Sequence, residues 1–109
     1  MNFDEYQRAI ENFAVYPREN KLSAISYLAL GLNGEAGEVA EQIKKAMRND
    51  GGELSEARRA ALKKELGDVL WYLARMAAEL DTTLAEIADE NVAKLRARLD
   101  ADNLRHEKD

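Results

Sequence analysis

Residues 23–48, SAISYLALGLNGEAGEVAEQIKKAMR, and residues 55–80, SEARRAALKKELGDVLWYLARMAAEL, decide the fold. Both are dominated by Ala, Leu, Glu, Lys and Arg, the residues that lose least on entering a helix. Between them, Asn49-Asp50-Gly51-Gly52 is a strong turn signal. Each stretch predicts a helix of about 25 residues, roughly 38 Å long at 1.5 Å per residue. Two such helices joined by so short a turn are expected to pack antiparallel.

The flanks extend the pattern. A first helix is predicted from Asp4 to Val15, ended by the Tyr16-Pro17 step. A fourth is predicted from Thr83 to Leu99, opened by a capping box between Thr83 and Glu86. The polar remainder, DADNLRHEKD, is expected to fray, and His106 within it is given no role. No alternating run long enough for a strand is present. The expectation is therefore an all-α, antiparallel four-helix bundle-like unit over residues 1–99, completed by oligomerisation, with residues 100–109 as a C-terminal tail.

Composition narrows the function classes. The chain of 109 residues suits one domain, and its lack of cysteine excludes disulfides and thiolate metal sites. No apolar run approaches the ~20 residues of a membrane span. Acids at Asp4 and Glu5 argue against a signal peptide, so a cytoplasmic location is expected. A net charge of −5 with mixed signs argues against a nucleic-acid partner. A nucleotide substrate remains compatible, because a divalent cation can invert the local field.

The chemistry lies in a near-repeat. Glu35-Ala36-Gly37-Glu38-Val39 in the second helix is echoed by Glu65-Leu66-Gly67-Asp68-Val69 in the third. At ~100° per residue, Leu32, Val39 and Ile43 fall about 40–80° from Glu35, and Leu62, Leu66, Val69, Leu73 and Leu80 centre about 70° from Glu65. Each acid pair thus sits at the margin of an apolar stripe, and packing the stripes together would gather all four carboxylates. Such a cluster repels itself and raises its own pKa values unless a hard cation such as Mg²⁺ or Mn²⁺ relieves it. Gly37 and Gly67 each cost about 1 kcal/mol relative to alanine in a helix; close approach of a helix or phosphate would account for them. The bland alternative is a solvated margin, with the acids paired to Lys44, Lys45, Lys63 or Lys64.

As a combination, Glu35-x-x-Glu38 followed by Glu65-x-x-Asp68 resembles the signature of the MazG-like, all-α nucleoside triphosphate pyrophosphohydrolases. Leu30-Gly31-Leu32, the run Val69-Leu70-Trp71-Tyr72-Leu73 and Asn91-x-x-Lys94 fit the same pattern, so the resemblance spans about Tyr27 to Arg98. It implies Mg²⁺, with Mn²⁺ as substitute, bound by Glu35, Glu38, Glu65 and Asp68. It also implies hydrolysis of a (d)NTP to the monophosphate and pyrophosphate, in control or house-cleaning of the nucleotide pool. Glu38 is the candidate for orienting or deprotonating the water. Asn91 and Lys94 would contact the phosphates, assisted by Arg98 from the same face and by Lys45; an amide cap or an exposed salt-bridged margin is the alternative for the first three, and pairing with Glu41 for Lys45. Relatives of this kind are homodimers or homotetramers.

Trp71 projects almost opposite the stripe of its helix and is expected to be covered by another subunit or to stack on a nucleobase. Tyr27 and Leu30 also fall outside their stripe. A di-iron bundle would require Glu-x-x-His motifs, which are missing. A non-catalytic nucleotide-binding or helical interaction module stays open, and base preference is not legible.

Overall fold

The computed structural model describes residues 1–108, with side chains through Asn103. Four α-helices follow in order: α1 (Phe3–Ile10), α2 (Lys21–Asn49), α3 (Glu56–Glu79) and α4 (Leu84–Lys108), with a 3₁₀ turn at Glu11–Phe13 after α1. No strand occurs among the described residues.

Local chemistry fixes the helix starts. Asn2 and Glu5 form a reciprocal capping box on α1. The side chains of Asn20 and Ser55 accept the N–H groups of Ser23 and Arg58, capping α2 and α3. At α4 only half of the expected box forms. Thr83 Oγ1 accepts the Glu86 N–H at 3.1 Å, but the Glu86 carboxylate turns to the Thr82 hydroxyl. At the other end of α2, Gly51 (φ 66°) and Gly52 (φ 78°) take left-handed conformations, and Gly52 N–H bonds back to Ala46 O at 3.2 Å. Arg58 then pins the turn, donating to Asp50 at 2.8 Å and to Gln42 at 2.6 Å.

Two boundaries differ from expectation. The α-helical part of α1 stops at Ile10 rather than Val15, its end tightening into the 3₁₀ turn before Tyr16-Pro17. α4 runs through the expected tail to Lys108, because residues 100–108 contain neither glycine nor proline to stop it. Asp109 and the His106 side chain lie outside the described residues.

α2 and α3 form the antiparallel pair. Their seam uses the apolar stripes only in part: Leu32, Val39, Leu62 and Val69 are half-buried. Ala24, Leu28, Gly31, Glu35, Gln42 and Ala46 on α2 face Arg58, Glu65, Asp68, Tyr72 and Glu79 on α3. Small residues on α2 make room for large polar ones on α3, and hydrogen bonds fill the contact. The rest of the leucine stripe of α3 turns outward: Leu66 is 56%, Leu73 41% and Leu80 55% exposed.

α1 covers part of the other side of α3. Ile10, Ala74 and Leu84 form a small core, with Tyr6, Leu70 and Trp71 packed against it. The Gln7 side chain accepts the Leu84 N–H at 2.9 Å, joining α1 to the start of α4. Beyond Ala88, every described residue of α4 is exposed, including Val92, Leu95 and Leu99. The radius of gyration is 18.1 Å, against about 13 Å for a compact chain of this length. The accessible surface is 8113 Å², about 2,000 Å² more than a compact monomer of this mass exposes.

Candidate metal centre

Glu35 points from α2 into the seam, and Glu65 and Asp68 meet it from successive turns of α3. One carboxylate oxygen from each lies within 4.8 Å of the others. Burial raises the Glu35 pKa first, followed by the charges of Asp68 and Glu65, a hydrogen bond with Glu65 and the charge of Glu38. Without a cation the site thus favours the protonated form of Glu35.

The lysines of the bland alternative do not neutralise this group. Lys44 pairs with Glu41 at 3.4 Å, and among the described residues no Lys or Arg forms an ion pair with Glu35, Glu38, Glu65 or Asp68. Three carboxylate oxygens at this spacing, without a positive partner among the described residues, fit a hard divalent cation, whose oxygen ligands lie about 2.0–2.6 Å from it.

Glu38 does not join the three. Roughly 60° round α2 from Glu35, it is exposed, and only its field reaches Glu35. The expectation of four converging acids is corrected to three. Both acids of the α3 pair turn toward α2, whereas of the α2 pair only Glu35 comes within ligand spacing of them.

The cationic candidates are elsewhere in a single chain. Asn91, Lys94 and Arg98 are exposed on α4, which makes no contact with α2 among the described residues. Lys45 is half-buried on α2. Gly37 and Gly67 open onto free space, so the close approach expected at them is not made within the chain.

Trp71 also departs from expectation. It is half-buried within the chain: it packs on the Ile10–Ala74–Leu84 core, edge-on to Tyr72 (4.9 Å) and Tyr16 (6.2 Å). The segment before α2 folds back to cover it, which a helical projection of α3 alone does not anticipate. Tyr27 stacks on Tyr16 at 5.8 Å, whereas Leu30 remains exposed.

Tyr6 and Tyr72 border the acids. Burial raises both phenol pKa values; the charge of Asp68 adds at Tyr6, and Tyr27, Glu35 and Asp68 add at Tyr72. A second polar cluster lies eleven residues further along α3, roughly 16 Å away. There Glu79, only 5% exposed, accepts the Tyr16 hydroxyl and pairs with Lys21 at 3.2 Å, Arg18 at 3.3 Å and Arg75 at 3.6 Å. The Tyr16 hydrogen bond, then Lys21 and Arg18, hold its carboxyl below the ordinary range in spite of burial. A cavity of about 420 Å³ adjoins it, lined by Arg18, Lys21, Arg75 and Glu79. Sequence reading missed these residues; the only cue was the i, i+4 pair Arg75–Glu79.

Fold and site together define an all-α protein that gathers carboxylates between two long antiparallel helices. Residues 23–101 match the family model of the MazG nucleotide pyrophosphohydrolase domain, and the chain belongs to that family. The Gene 37 protein of Mycobacterium phage L5 is 40% identical over 103 residues, spanning 92% of this chain and 90% of that one. No solved structure matches.

Proposed function

We propose that this protein is a Mg²⁺-dependent nucleoside triphosphate pyrophosphohydrolase that converts a (d)NTP to (d)NMP and pyrophosphate. The observation that carries the reading is the convergence of Glu35, Glu65 and Asp68 without a cationic partner, in a chain of a pyrophosphohydrolase family. Those three carboxylates hold the metal, for which Mn²⁺ substitutes. When bound, the cation neutralises charge on the phosphates and lowers the pKa of coordinated water. Glu38, exposed one turn from Glu35, accepts hydrogen bonds from the attacking water and takes its proton. The water's oxygen bonds to the α-phosphorus as the bond from that phosphorus to the bridging oxygen breaks, and pyrophosphate leaves.

Asn91, Lys94, Arg98 and Lys45 bind the phosphates, and homodimers or homotetramers bring α4 of one copy to the acids of another. The support for association is physical. An excess surface of about 2,000 Å² is of the size that a stable interface covers, and the exposed apolar side chains include Leu66, Leu73 and Leu80 of α3 and Leu95 and Leu99 of α4. No helix among the described residues is long and apolar enough to cross a membrane; action on the cytoplasmic nucleotide pool, without nucleic acid as partner, completes the proposal.

A panel of NTPs and dNTPs, incubated with Mg²⁺ or EDTA beside Glu35→Gln and Glu38→Gln, tests it by product analysis. Metal-dependent monophosphate and pyrophosphate, lost in both variants, is the expected result. Diphosphate and phosphate would move the cleaved bond. No turnover by folded, metal-loaded protein would favour a non-catalytic nucleotide-binding or interaction module, to which the exposed face of α4 also lends itself.

A further inference from the structure

The two helices that carry the acids also meet closely one turn away from them. Tyr72 follows Asp68 by four residues on α3, and Gly31 precedes Glu35 by four on α2. The Tyr72 ring lies in the space that a side chain at position 31 would fill: a Cβ there would collide with three atoms of the ring. Glycine at this site is therefore a packing requirement, whereas Gly37 and Gly67 meet nothing. The ring is itself gripped, with the Trp71 indole edge-on at 4.9 Å and an interplanar angle of 87°.

Side chains at i and i+4 share a helix face. The ring on Gly31 and the carboxylates of Glu35 and Asp68 are thus neighbouring layers of one seam, and the thickness of one layer sets the gap at the next. From this we infer that Tyr72, seated on Gly31, is a positioning residue for the metal centre: its ring spaces α2 from α3 so that Glu35 meets Glu65 and Asp68 at ligand distance. The inference rests on the metal-binding role proposed above for these acids. Spacing matters because carboxylate ligands must reach one ion within a few tenths of an ångström. The ring performs this task; the phenol oxygen is dispensable to it.

Mn²⁺ titration of the whole protein, read by electron paramagnetic resonance of the free ion, tests the inference with circular dichroism as the check on folding. Tyr72→Phe keeps the ring and is expected to bind Mn²⁺ within about twofold of wild type. Tyr72→Leu thins the layer and Gly31→Ala thickens it. Each is expected to weaken binding about tenfold or more, the range for residues that orient metal ligands. Because the two changes act on one gap in opposite senses, the double variant Gly31→Ala/Tyr72→Leu loses less than the product of the single losses; independent structural damage would multiply.

Wild-type affinity in folded Tyr72→Leu would overturn the inference, as would a Tyr72→Phe loss equal to that of Tyr72→Leu. Should Gly31→Ala not fold, the two Tyr72 variants decide. Glu35→Gln keeps the outcomes separate. Mn²⁺ binding that depends on Glu35 but ignores both Gly31 and Tyr72 sinks the spacing role alone. A wild type that binds no Mn²⁺ sinks the metal centre and the spacing role together.

Discussion

Replacing Glu35 by glutamine keeps the shape of the side chain and removes one of three converging charges. The carboxylate oxygens of Glu35, Glu65 and Asp68 lie within 4.8 Å of one another, so each neighbour repels Glu35 by about 0.9 kcal/mol even at the dielectric of water. Asp68 is exposed and salt screens the pair, which leaves roughly 1 kcal/mol for both neighbours together. Without metal, Glu35→Gln is therefore more stable than wild type, melting about 4 °C or more higher.

The pH dependence has a definite sign. Burial and the neighbouring acids raise the Glu35 pKa above its unfolded value, so the folded state binds this proton more tightly. The contribution of this group to metal-free stability falls as pH rises from the ordinary glutamate range through the raised value, then levels off. Glu35→Gln lacks that fall. Mg²⁺ at a hundred times its Kd stabilises wild type by about 2.7 kcal/mol and reverses the order of the two proteins. Thermal melts of both, in EDTA and in Mg²⁺ across pH about 4.5 to 8, measure every term. A glutamine variant less stable than wild type in EDTA would refute the reasoning, since Glu35 would then be held by favourable contacts.

Three further outcomes are expected. Glu79→Ala leaves the buried Arg75 guanidinium without its carboxylate and is expected to cost about 3 kcal/mol in urea unfolding. Because the folded Glu79 pKa is depressed, the stabilisation it gives is present above the ordinary glutamate range and lost as pH falls through the lowered value, opposite in sense to Glu35. Leu28→Ala empties a fully buried site at the α2–α3 seam and is expected to cost about 2–5 kcal/mol; an unchanged urea midpoint would contradict that burial. Analytical ultracentrifugation is expected to give a mass above the 12.3 kDa of one chain, and Leu95→Glu, on the open face of α4, to lower it.

The helices were legible because their punctuation is local. Asn49-Asp50-Gly51-Gly52, Ser55 and Thr83 mark ends by backbone chemistry that needs no partner. Helical phase also put Glu35, Glu65 and Asp68 on comparable faces. It did not reveal which of two adjacent faces meets the other helix: Leu66, Leu73 and Leu80 are the obvious core by hydropathy, yet the seam runs through Glu65, Asp68 and Tyr72. Hydrophobic pattern records what must be covered, not by which surface. Tyr16 on Trp71 and Glu79 was illegible for another reason. Its position depends on how the short non-helical segment before α2 folds back, and such a segment has no periodicity to read.

The Gln7–Leu84 hydrogen bond gives the chain a timetable. The residues it joins are 77 positions apart, whereas α2 and α3 meet across a turn of six residues, 50–55. Closing the long loop carries the larger entropic cost and the slower search. The hairpin that holds the acids is therefore expected to assemble early, and α1, though made before it, to complete its docking only when α4 has begun. Until then, Ile10 and Ala74 lack the cover of Leu84, and a growing chain carries that apolar surface open to aggregation.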